Sequence, residues 1–61
     1  MNKFAEIKKV SDDLQTSLEK MKQLGLLGQF SVDPVYDDLE IKVIIVPIVS
    51  VDKITVNFHL N

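Results

Sequence analysis

The chain has 61 residues, of which 46% are hydrophobic and 26% charged, and its formal net charge is −2. A domain this short buries only about 60% of the surface that its unfolded chain exposes, so small domains usually depend on disulfides, a metal or a partner chain. The sequence has no cysteine and a single histidine, which excludes disulfides and thiolate or histidine-based zinc sites. We therefore expect no metal and no cofactor, and we expect a partner chain to supply stability.

The distribution of apolar residues bears on disorder and location. The apolar content is too high, and the net charge too low, for a chain that stays unfolded. The longest apolar run, Val43–Val49, has seven residues, far below the ~18 of a membrane-spanning helix. Glu6, Asp12 and Asp13 lie where a signal peptide has its apolar stretch. We expect a soluble protein in the cytoplasm of a bacterial cell, or of the host cell if a phage encodes it, without membrane association.

The first predicted element is an amphipathic helix over residues 3–24. Its apolar residues recur every three or four positions: Phe4, Ile7, Val10, Leu14, Leu18, Met21 and Leu24. Asn2 is placed to cap its start, and Gly25 to end it in a left-handed conformation. The spacing of Ile7, Leu14 and Met21 also fits a heptad seam between two copies. The alternative, which the serines in the flanking rows favour, is that the stripe covers the chain's own sheet.

Residues 25–38 are predicted to form an acidic, turn-rich linker, in which Phe30 and Val32 give a weak strand signal. Five residues at its end form a candidate partner-binding patch with Tyr36 as aromatic anchor: Asp33, Tyr36, Asp37, Asp38 and Glu40. The spacing of the carboxylates does not match a calcium-binding loop. The alternative is a solvated loop whose charge keeps the chain soluble.

From residue 39 to 61 the apolar period changes to two, which predicts an antiparallel β-hairpin. The last strand alternates cleanly from Ile54 to Leu60. The preceding strand, about Glu40 to Val49, is apolar on both faces and should be buried on both. Pro47 within it indicates an edge or a bulge.

These elements predict one small α+β domain, 1–61, in which a long N-terminal helix packs on a C-terminal hairpin or three-stranded meander. One helix covers one face of that sheet, so the other face needs a second copy of the chain. We expect a homo-oligomer, most simply a dimer, with an interface of Ile44, Val46, Ile48, Ile7, Leu14 and Met21. Substitution of Ile44 by Lys or of Val46 by Asp should then abolish both oligomerisation and folding.

The chemistry-bearing residues do not predict an enzyme. His59, the single histidine, falls on the polar face of the last strand, and no glycine-rich phosphate loop or serine elbow is present. All seven basic residues are lysine, which disfavours nucleic-acid binding. We expect a small oligomeric interaction protein, a phage or bacterial accessory protein that binds and inhibits or modulates an unidentified host protein. The alternatives are a structural self-assembly domain and, third, a DNA-binding regulator.

Residues 46–58, with a Val-Pro-Ile strand that turns into an alternating strand ending in Phe58, resemble a segment of an uncharacterised bacterial family, a domain of unknown function. In that family the segment follows an N-terminal helical stretch. The resemblance implies a bacterial or phage source, and it implies no activity and no catalytic residues.

Overall fold

A computed structural model of the chain describes residues 2–50 and 52–60. It contains one helix, α1 (Lys3–Gln23), followed by three strands, β1 (Gln29–Val35), β2 (Glu40–Val46) and β3 (Ile54–His59). The strands form one antiparallel sheet in the order β1-β2-β3, and α1 packs on one face of it. The predicted α+β class is confirmed, in its three-stranded form.

The helix is bounded by local signals at both ends. The Asn2 side chain accepts hydrogen bonds from the backbone N–H groups of Phe4, at 2.9 Å, and Ala5, at 3.3 Å. At the other end Gly25 has φ of +77°, its N–H donates to the Lys22 carbonyl, and the Leu26 N–H donates to the Met21 carbonyl. This pair of bonds is the Schellman motif, which requires a left-handed residue and therefore favours glycine.

The segment predicted as a linker contains a strand, and this prediction of the sequence is corrected. β1 pairs with the whole of β2, from Gln29 opposite Val46 to Val35 opposite Glu40. Asp33 and Pro34 suggested a turn, yet they lie inside β1. An edge strand tolerates proline because only alternate amides donate to its single neighbour.

The second strand is shorter than predicted. It ends at Val46, directly before Pro47, and Ile48 and Val49 lie in the turn that follows. Proline has no N–H to donate to a neighbouring strand, so the ladder of hydrogen bonds ends naturally before Pro47. The apolar run of the sequence is therefore divided between a strand and an exposed loop, in which Val49 is 94% exposed.

The connection between β1 and β2 is a four-residue turn, Tyr36 to Leu39, closed by a hydrogen bond of 3.2 Å from the Leu39 N–H to the Tyr36 carbonyl. Leu39 has φ of +51°, in the left-handed region that non-glycine residues rarely adopt. Its carbonyl accepts from the Leu60 N–H at 2.8 Å, and its side chain packs against the core. These contacts hold the residue in an unfavourable backbone conformation.

The core lies between α1 and the first two strands. Its buried members are Ile7, Leu18, Leu27, Ile41 and Val43. The face that α1 turns toward the sheet runs along Ile7, Ser11, Leu14 and Leu18, at spacings of four, three and four. Ser11 is thus buried although it is polar, while Phe4 and Leu24 of the predicted stripe are more than half exposed. The helix covers its own sheet, as the favoured alternative expected.

Candidate interaction surface

The third strand carries an apolar row that the helix does not cover. In the antiparallel register Ile54 is opposite Ile45, Val56 opposite Val43 and Phe58 opposite Ile41, so all six side chains share the helix-facing side of the sheet. α1 lies over β1 and β2 and not over β3. Ile54, Val56 and Phe58 are consequently 51%, 37% and 50% exposed, whereas Ile41 and Val43 are buried. We call these three residues the β3 apolar row.

A groove runs between α1 and the end of β3. Its volume is about 350 Å³, and its lining is mainly apolar and includes Val10 of the helix and Phe58 of the strand. Glu6, Lys9 and His59 are the polar residues of the lining. The groove continues the β3 apolar row toward the helix, so the uncovered surface spans both elements.

The two edge strands of the sheet differ in how well they accept another strand. β3 (Ile54–His59) contains no Lys, Arg, Asp, Glu or Pro, the residues that usually protect an edge strand. β1 carries both Asp33 and Pro34 within its paired length. The backbone of β3 is therefore the open edge of the sheet, and it borders the apolar row.

The outer face of the sheet, which points away from α1, holds two residues of the predicted interface. Ile44 and Val46 lie there half-buried, with Ile44 between Ser31 and Thr55. Ile48 does not join them on the strand, because it lies beyond Pro47 in the loop and is 58% exposed. The contiguous three-residue patch predicted from the sequence is therefore a pair on a largely polar face, next to a separate loop.

The helical residues of the predicted interface also separate. Ile7 is 2% exposed and belongs to the core, and Leu14 is half-buried against it. Met21 is 39% exposed. Ile7 is thus covered by the chain's own sheet and is not available to a second copy in this fold.

The acidic patch predicted around Tyr36 is divided among three environments. The Tyr36 ring packs edge-on against Phe4 at the start of α1, with ring centroids 6.2 Å apart and planes at 79°. Asp37 and Asp38 are exposed in the turn. Asp33 and Glu40 lie on the outer face of the sheet, opposite Lys42 and His59 respectively. Tyr36 therefore ties the turn to the helix, and it does not stand among all four carboxylates.

Three charge pairs form among the described residues, two within α1 and one across the β2–β3 pair. His59 Nε2 lies 3.2 Å from Glu40 Oε2, across the β2–β3 pair. On the helix, Lys8 Nζ is 3.0 Å from Asp12 Oδ2, and Lys9 Nζ is 3.5 Å from Asp13 Oδ2. The hydrogen bond from Lys8 to Asp12, reinforced by the Asp12 charge, raises the pKa of the Lys8 ammonium. Within residues 2–50 and 52–60, no three His, Asp or Glu side chains lie close enough together to hold a metal ion.

The size of the molecule shows how much surface is left open. Its accessible surface is 4570 Å², whereas a compact monomer of this mass is expected to expose about 4000 Å². The radius of gyration is 12.4 Å, against about 10.5 Å for a compact domain of this length. The Cα extents of 39 × 20 × 12 Å describe a long, thin molecule.

No family model, curated protein or solved structure matches the chain. The resemblance of residues 46–58 to a bacterial family therefore stays a prediction, although those residues correspond to the end of β2, the loop and most of β3. Among the residues described, α1 is too polar to cross a bilayer.

Proposed function

We propose that the chain is a non-enzymatic protein-interaction module that docks a polypeptide against β3. The observation that carries this proposal is the β3 apolar row, in which large side chains are 37–51% exposed beside an open strand edge. Uncovered apolar surface of this kind marks interaction sites in soluble proteins. An open edge adds backbone donors and acceptors, which polypeptides use when they add a strand to a sheet.

The rest of the described surface favours binding over chemistry. His59 is engaged with Glu40, and the helical Lys8 and Lys9 are paired with aspartates one turn further on. The other lysines of α1 lie at its two ends, Lys3 in the first turn and Lys20 and Lys22 in the last, so they form no continuous basic stripe, and the arrangement of charges gives the DNA-binding alternative no support. The setting that we propose is the one expected from the sequence, an accessory protein of a bacterium or phage that binds and modulates another protein.

A pair of matched lysine substitutions tests which face docks the polypeptide. Val56 and Ile44 are both partly exposed β residues near the middle of their strands, but Val56 lies on the helix side and Ile44 on the outer face. An immobilised tagged chain is offered untagged chain and bacterial extract, and the retained polypeptides are compared. We expect Val56→Lys to lose at least about tenfold in retention. Ile44→Lys, which the sequence alone predicted to abolish folding and oligomerisation, should instead retain what the wild type retains, because Ile44 lies half-buried on a largely polar outer face.

Far-UV circular dichroism of both variants is the folding control. We expect both spectra to match the wild type, because each lysine can extend its ammonium into water. Equal retention by Val56→Lys and the wild type contradicts docking at β3. Loss of retention only in Ile44→Lys supports instead the outer-face interface predicted from the sequence.

A further inference from the structure

We infer that the polypeptide docked at β3 is a second copy of this chain, whose β3 pairs antiparallel with the first across a two-fold axis. The inference rests on the proposed function, because it names the partner of that same surface. It makes one six-stranded sheet in which the two β3 strands are the central pair.

The symmetry of such a pair decides which faces meet. A two-fold axis that relates two antiparallel edge strands is perpendicular to the sheet, so it leaves both helices on the same side. Directly opposite residues of antiparallel strands also share a face. The two apolar rows therefore become neighbours without any change in the monomer fold. A parallel arrangement, or one with the helices on opposite sides, does not combine these properties.

One register uses the whole row. When Val56 lies on the axis opposite its own copy, Ile54 is opposite Phe58 of the second copy, and Thr55 is opposite Asn57. The helix side then has three apolar cross-strand pairs, two of which join an aromatic and a β-branched residue, a favourable combination. On the outer side Thr55 is opposite Asn57, and His59, which lies 3.2 Å from Glu40 of its own chain, is opposite Lys53 of the second copy.

The self-complementary β3 edge, the exposed surface and the small size of the chain favour a second copy over an unrelated chain. The apolar row and the open edge are self-complementary, as a two-fold interface requires. The monomer exposes about 600 Å² more than a compact domain of its mass, and the half-exposed side chains of the β3 apolar row contribute to that open surface. A second copy also supplies the stabilisation that a 61-residue chain without disulfides lacks.

Single-cysteine cross-linking tests the register, because the natural chain has no cysteine. In the Val56-centred pair the two Val56 Cα atoms are about 5 Å apart, within reach of a disulfide, while the two Ile54 Cα atoms are about 14 Å apart. Ile54 is more exposed than Val56, so random collision favours cross-linking of the Ile54→Cys variant. We expect Val56→Cys to form disulfide-linked dimers at least about tenfold faster than Ile54→Cys under mild oxidation.

Sedimentation equilibrium of the wild type accompanies the cross-linking, and we expect a mass of twice 6.9 kDa at micromolar concentration. Cross-linking of Ile54→Cys at the same rate as Val56→Cys overturns the inferred pairing. A wild-type chain that stays monomeric also overturns it. If the wild type is monomeric but retains a different polypeptide, and Val56→Lys does not retain it, the proposed function stands and only the dimer is refuted. If Val56→Lys retains as much as the wild type, the dimer and the proposed function are both refuted.

Discussion

Ser11 is a polar residue in the buried face of α1, and its replacement by alanine should stabilise the protein. Its exposed fraction is 5%, and within the described chain no group forms a hydrogen bond with its Oγ. A buried hydroxyl without a partner costs about 1–3 kcal/mol. Alanine also has a higher helix propensity than serine, by roughly 0.5 kcal/mol. The small void left by the missing oxygen offsets part of this gain, so we expect a net stabilisation of about 1.5 kcal/mol.

The matched control is Ser17→Ala, on the exposed side of the same helix. It reports helix propensity alone and should stabilise the chain by only about 0.5 kcal/mol. Urea unfolding followed by circular dichroism measures both variants at one protein concentration, because association shifts apparent stability. With a slope near 1 kcal/mol/M, Ser11→Ala should raise the urea midpoint by about 1.5 M. A gain no larger than that of Ser17→Ala refutes the assignment of an unsatisfied hydroxyl.

Three further substitutions test local features. Asn2→Ala removes the helix cap and should lower the free energy of unfolding by about 1 kcal/mol in a thermal melt, whereas Asn2→Asp should keep most of the stability. Equal losses of stability in the two variants contradict the capping role. Leu39→Val places a β-branched side chain at φ of +51° and should cost about 2 kcal/mol in urea unfolding, against less than about 1 for Leu39→Met. His59→Ala removes a half-exposed partner of Glu40 and should cost less than about 1 kcal/mol in urea unfolding. A loss well above about 1 kcal/mol shows that the pair contributes more than an exposed ion pair does.

The helix and its caps could be predicted because their signals are local. Periodicity located α1 to within one residue at its C-terminal end, and Asn2 and Gly25 have the capping roles that their side chains favour. The centre of the buried stripe was less predictable. A helical wheel that counts only apolar residues does not place Ser11 in the buried face, yet the helix packs on the sheet along a line that includes Ser11. Small size, and not hydrophobicity alone, fits that position.

The strands show what a sequence pattern leaves out. Asp33 and Pro34 are turn residues by composition, but an edge strand accepts them, so β1 was predicted as a linker with only a weak strand signal. The alternation from Ile54 to Phe58 predicted which side chains share a face, and it did so correctly. It did not predict that this face lies uncovered, because the exposure depends on how many strands one helix spans. The groove beside α1 likewise depends on the placement of the helix across the sheet.

The presence of proline and aspartate in β1 limits how large an assembly of this chain can become. A sheet with two receptive margins can recruit molecules without end, which is the route to fibres. Here the margin formed by residues 29–35 lacks one backbone donor and carries a carboxylate. Once β3 is paired, a third copy of the chain finds no equally open strand to pair with. In the dimer that we infer, both β3 strands are paired and only the β1 edges remain, so we expect assembly to stop at two copies.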